Sequence, residues 1–255
     1  MTKKNKRILL WIAIICCLAL IIWACIALFS SNSNSYRLQG RLKGGENKIL
    51  VLLEMEADGP HAIDTIYLSS KGKFSHKAKL KEPSLFVLQS DNDYMLFCPS
   101  KKETINIEGD FYDLALSTSV TGSKESEDLR LLIDRQKKTG MIFKAIQDEW
   151  DMAAPEAKDS LLVVIKEKFA QLHTLEKEFL KKYIKEHEGS LTTIPALYET
   201  RMGNPVFSPK KDIEVYEQVL KGLEKTLPSN KHTQNLRNFI QKVKSMKQKE
   251  ESVKE

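Results

Sequence analysis

Residues 8–29 form an unbroken apolar run, from Ile8 to Phe29, in which no side chain is charged. Wound as a helix at about 1.5 Å per residue, the run is roughly 33 Å long, close to the ~30 Å hydrocarbon thickness of a bilayer. Such a segment divides the chain into a seven-residue N-terminal stub and a long body beyond it. Lys3, Lys4, Lys6 and Arg7 precede it, whereas the polar stretch Ser30-Ser31-Asn32-Ser33-Asn34-Ser35 follows it. Cations on one flank only keep that flank in the cytoplasm. The expected arrangement is a cytoplasmic stub (1–7), a single-pass signal anchor in the inner membrane and lipid bilayer (8–29), a flexible spacer (30–35) and a body in the periplasm.

Two other readings of the same stretch stay open. Ile22-Trp23-Ala24-Cys25 has the outline of a lipobox, which would make Cys25 an acylated residue and the chain a lipoprotein. Trp23 is bulky for that motif, and apolar residues 26–29 continue past the cysteine. A cleaved secretory signal is the third reading, although its apolar core usually spans only about 7–15 residues. All three place the body outside the cytoplasm.

The formal net charge is +6, but setting aside the four leading cations leaves the body at +2. Lys and Glu alternate closely along it, so no clustered basic stripe for nucleic acid is expected. Cys16, Cys17 and Cys25 lie in the apolar run. Cys98 therefore has no partner in the body, and the fold is expected to do without an internal disulfide even in an oxidising compartment.

From Tyr36 onward the hydrophobic period is two. Short runs are separated by turn residues, among them Gly44-Gly45-Glu46-Asn47 and Ser70-Lys71-Gly72, both of which read as hairpin turns. The last run spans 114–120. No helix-length segment separates these strands, which argues against a parallel α/β sheet. At Gly122-Ser123 the period turns helical, with Ser123 as cap and Leu129, Leu132, Ile133, Phe143, Ile146 and Trp150 as the stripe. A second helix is expected from Pro155 to about His187, with Ile165, Val164, Leu175 and Tyr183 among its inward residues and Gly189 at its end. A shorter helix at Pro195, one starting at Ser208-Pro209 and one after Pro228-Ser229-Asn230 complete the chain. The predicted class is α+β: an antiparallel β-sandwich or open barrel over 36–122, then an all-helical region over 123–255.

Several short motifs recur in a fixed order: Gly40, Ile63-Asp64-Thr65, Gly72-Lys73-Phe74, Ile105-Asn106-Ile107-Glu108-Gly109-Asp110 and Val120-Thr121-Gly122-Ser123. In this the segment resembles a domain of unknown function common in exported Bacteroidota proteins, where it stands N-terminal to a thioredoxin-like domain of the thiol:disulfide interchange or peroxiredoxin type. The resemblance implies a thioredoxin-like envelope protein as partner. The Cys-x-x-Cys of such domains is missing here, and the N-terminal domain has no assigned catalytic residues, so none is carried over.

The residues themselves offer little chemistry. Cys98-Pro99-Ser100-Lys101 approaches a redox motif, and neighbouring Lys101 and Lys102 would activate an exposed thiol, whereas burial would leave it inert. The histidines are scattered, and His173 with Glu176 reads as a surface pair on one helix face rather than a zinc site. The Gly44–Lys48 stretch has the composition of a phosphate loop but joins strands instead of opening a helix. No cofactor, metal site or catalytic set is expected. The sequence thus points to a non-catalytic, membrane-tethered binding or spacing module, with thiol-disulfide exchange through Cys98 as the alternative.

Overall fold

The computed structural model describes residues 34–91 and 93–252. The apolar run and Cys25 lie outside them, and among the described residues no helix is long and apolar enough to cross a membrane. The fold is mixed α+β with a helical C-terminal region.

Two four-stranded sheets share one core. In the first, β4 (Lys73–Lys79), β1 (Ser35–Lys43), β7 (Thr104–Asp110) and β8 (Ser119–Thr121) lie side by side. In the second the order is β3 (Gly59–Tyr67), β2 (Ile49–Glu56), β5 (Phe86–Gln89) and β6 (Tyr94–Phe97). Alternation sends Leu38, Leu42, Ile105 and Ile107 of one sheet against Leu50, Leu52, Leu88 and Met95 of the other. Tyr36 ties the layers together, its ring 5.5 Å from Phe86 and 6.1 Å from Phe97.

The sheets are not purely antiparallel, which corrects the expectation. β1 pairs with β7 in parallel, Leu38 beside Ile105 and Gly40 beside Ile107. That pairing joins strands far apart in the chain, so no local turn signal announces it. At Gly40 the backbones meet so closely that a Cβ would fall on the Ile107 carbonyl oxygen.

Two predicted hairpins are also corrected. The turn at Gly44 to Asn47, with φ of 77° and 59° at those residues, carries the chain from β1 in the first sheet to β2 in the second. The turn ending at Gly72 likewise passes from β3 to β4. A tight turn fixes a reversal of direction, whereas the buried faces decide which strand becomes the neighbour. The expected strand over 114–120 is mostly a short helix, α1 (Leu114–Ser117). Asp113 accepts from the Leu116 N–H and Thr118 donates to the Leu114 carbonyl, leaving only Ser119–Thr121 to pair.

Ser123 caps α2 (Lys124–Met152) as expected, accepting from the Ser126 N–H. A 3₁₀ turn at Pro155–Ala157 leads into α3 (Lys158–Glu186), after which come α4 (Thr193–Leu197), α5 (Ile213–Thr226) and α6 (Lys231–Ser252). The region is not wholly helical: β9 (Thr200–Arg201) and β10 (Asn204–Pro205) form a small hairpin around Met202 and Gly203, both at positive φ. Nor does α5 start at Pro209. Ser208 and Asp212 close a turn on each other first, the Ser208 N–H donating to Asp212 Oδ2 at 2.9 Å.

Leu129, Leu132, Leu180, Ile184, Phe207, Tyr216 and Leu223 build a second core with Leu85 and Cys98 from the sandwich, and Met55 and Leu96 pack against it. The helices therefore cover the outer side of the second sheet. The start of α6 is fastened there. Lys231 Nζ reaches Glu54 and Glu56 of β2 at 2.5 and 2.7 Å, Asn230 donates to Glu82 and the Pro83 carbonyl, and His232 Nε2 lies 3.0 Å from Ser84 Oγ.

Candidate functional site

Beside this seam lies an open cleft of about 610 Å³, walled by β6, α2 and the α4–β9 connection. Its floor is apolar, from Leu96, Leu116, Ile133 and Met141. Leu96 and Ile133 are partly buried at the margin of the second core, so the cleft opens where β6, α1 and α2 do not quite close over it.

The cleft's fixed charges are arginines. Arg130 of α2 donates to the carbonyls of Thr118 and Leu116 at 2.7 Å each and to that of Ala115, which satisfies the end of α1. Arg201, from β9, donates to Glu176 at 2.7 Å and to the Gln136 carbonyl at 3.0 Å, and it also pairs with Glu199. Burial pulls both guanidinium groups below their ordinary pKa; the Glu176 carboxylate opposes this at Arg201, and more distant carboxylates oppose it at Arg130. They remain charged at any physiological pH. Lys137 and Lys144 also line the cleft, Lys144 paired with Asp148 at 2.9 Å, and Glu199 is the cleft's carboxylate.

The helical spacing predicts Glu176 on the surface beside His173. It is instead 1 % exposed, while Leu175 and Val164, expected inside, are exposed. The helical stripe of α3 is rotated so that a charged residue sits inward, and Arg201, 25 residues later, compensates it. Nothing in the local periodicity marks that exchange.

Cys98 directly follows β6 and is 2 % exposed. Its N–H donates to Ser126 Oγ, its carbonyl accepts from the hydroxyls of Ser123 and Ser126, and its thiol donates to Glu125 Oε2 at 3.2 Å. A thiol beside a helix start would ordinarily be acidified. Here burial, with Glu125 second, pushes its pKa well up. Lys101 and Lys102 are exposed and do not reach it. The cysteine works as a clasp between strand and helix, its thiol buried against Glu125.

Among the described residues no group of His, Cys, Asp and Glu is arranged to hold a metal ion. The Gly44 turn lies between strands, with no helix behind it to receive a phosphate. What the cleft offers is shape, apolar surface and positive charge, which suits binding. No curated protein matches the chain. One family does match, and its span takes in the whole sandwich, α1 and the first residues of α2: residues 36–129 fit the domain of unknown function DUF4369.

Proposed function

We propose that this protein is a membrane-anchored module of the cell envelope that binds a partner rather than transforming a substrate. The observation that carries the reading is the cleft itself, where an apolar floor lies between arginines already locked by carbonyl and carboxylate partners, and its carboxylate, Glu199, is itself paired with Arg201. Such a surface suits an extended, partly apolar segment bearing acidic residues, presented by another envelope protein. A thioredoxin-like protein is the partner suggested by the resemblance of 36–123 to domains that stand N-terminal to thioredoxin-like domains. The apolar run at 8–29 supports single-pass anchoring, with residues 36–255 on the periplasmic side.

The cleft is tested by a photo-crosslinking residue at Met141 in cells, with a second at Lys247 as control. A discrete adduct with one envelope protein is expected from Met141 alone. Equal adducts at both positions, or none at Met141, would remove the reading. Topology is tested separately: a C-terminal alkaline phosphatase fusion should be active, and activity only of a cytoplasmic reporter would reverse the orientation. The sealed environment of Cys98 gives the redox alternative no support.

A further inference from the structure

The outward side of the first sheet has a charge pattern that the fold does not need. On β1 the residues facing away from the core are Arg37, Gln39, Arg41 and Lys43, and on β4 they are Lys73, Ser75, Lys77 and Lys79. The register sets Arg37 opposite Lys77 and Arg41 opposite Lys73. Like charges directly across an antiparallel pair destabilise a sheet. These four side chains are exposed.

Carboxylates stand more densely at one end of this surface than at the other. Glu108 and Asp110 of β7 stand beside Arg41 and Lys43, whereas Arg37 has Thr104 as its β7 neighbour. At that second end a hollow of about 390 Å³ is lined by Arg37, Lys77 and Lys102, with Glu103 as its acid. Lys79 pairs across from Ser35, and the Leu80 N–H donates to the Asn34 carbonyl. The positive end is thus the end at which residue 34 is fixed. Between Asn34 and Phe29, the last residue of the apolar run, the chain can stretch at most about 18 Å. The cations are held within on the order of two Debye lengths of wherever that run ends.

From this juxtaposition we infer that the outward face of the first sheet is a docking surface for anionic phospholipid headgroups, which hold the body against the bilayer by its Arg37–Lys77–Lys79 end. The inference rests on the anchoring proposed for 8–29. It chooses lipid over an acidic protein because the tether is short and the charge is strongest where the tether attaches. An anionic surface attracts juxtamembrane cations of this kind.

The full chain is reconstituted in nanodiscs with and without anionic phospholipid, and lysine acylation is followed by mass spectrometry. With anionic lipid, labelling of Lys77 and Lys79 is expected to slow by roughly fivefold or more relative to zwitterionic discs. High salt should abolish the difference, and Lys166 and Lys247 should not change. The double variant Arg37→Glu, Lys77→Glu alters exposed positions only, and it should keep its circular dichroism while Lys79 loses the lipid-dependent protection. Equal labelling of wild type in both discs overturns the docking but leaves the anchor standing. A chain that an alkaline wash strips from the discs fails the anchoring reading first. Protection that tracks protein concentration and ignores lipid charge assigns the face to a second copy and overturns the inference.

Discussion

At the scale of single residues, the Glu176–Arg201 pair is where the chain takes its largest local risk. A carboxylate with almost no exposure is tolerable only while its cation stays in place, so removing one partner costs far more than removing both. Arg201→Met should lower unfolding free energy by about 3–5 kcal/mol, while Glu176→Leu combined with Arg201→Met should recover part of that loss in urea denaturation, Glu199 being left without its arginine. If the single and double variants are equally unstable, the pair is not what holds β9 against α3. Cys98 makes a complementary point about legibility. Its isolation and its nearness to lysines were plain in the sequence, but the carboxylate that governs its thiol, Glu125, lies 27 residues away and meets it only through the packing of α2 on β6. Residue type was readable; the deciding neighbour was not.

Among the elements, α6 carries the clearest dependence on pH. Burial, with Lys231 second, pushes the His232 pKa down to about 4, so the ring is neutral beside Ser84 at physiological pH. A histidine depressed in the folded state favours folding fully above its unfolded value near 6.5, and that contribution is lost as pH falls through 4. Acidification from pH 7 to 4 should therefore remove up to about 3 kcal/mol through this residue. The measurable quantity is the difference in unfolding free energy between wild type and His232→Asn at each pH, because other carboxylates titrate equally in both. That difference should move toward His232→Asn as the medium is acidified, and a constant offset would assign the clasp to Lys231 and Asn230 instead. Element types were largely visible beforehand, since Ser123, Pro155, Gly189 and Pro228 mark real boundaries. The misreadings fell at 114–120, where Asp113 and Thr118 bend an apolar run into a turn of helix, and at 200–205, where paired positive-φ residues fold back on themselves.

Across the whole molecule, the two halves share side chains as well as a boundary. Leu85 and Cys98 are buried in the helical core, and Met55 and Leu96 pack against it, so the sandwich without its helices would present that apolar side to water. Urea unfolding followed by tyrosine fluorescence and by far-ultraviolet circular dichroism should give one coincident transition; two separated transitions would mean that sandwich and helices are independent units. The layered architecture could be anticipated from the change of period at Gly122, because alternation and helical spacing each imply a buried side. Which strands become neighbours could not, since β1 meets β7 only after the chain has crossed to the other sheet and back twice. That meeting has a mechanical side. The strand nearest the N-terminal segment is interior to its sheet, bonded to β4 on one side and β7 on the other. Tension arriving along that segment would pull β1 lengthwise and load both ladders at once in shear, so the body should resist being tugged by its leash far better than if an outermost strand were peeled away bond by bond.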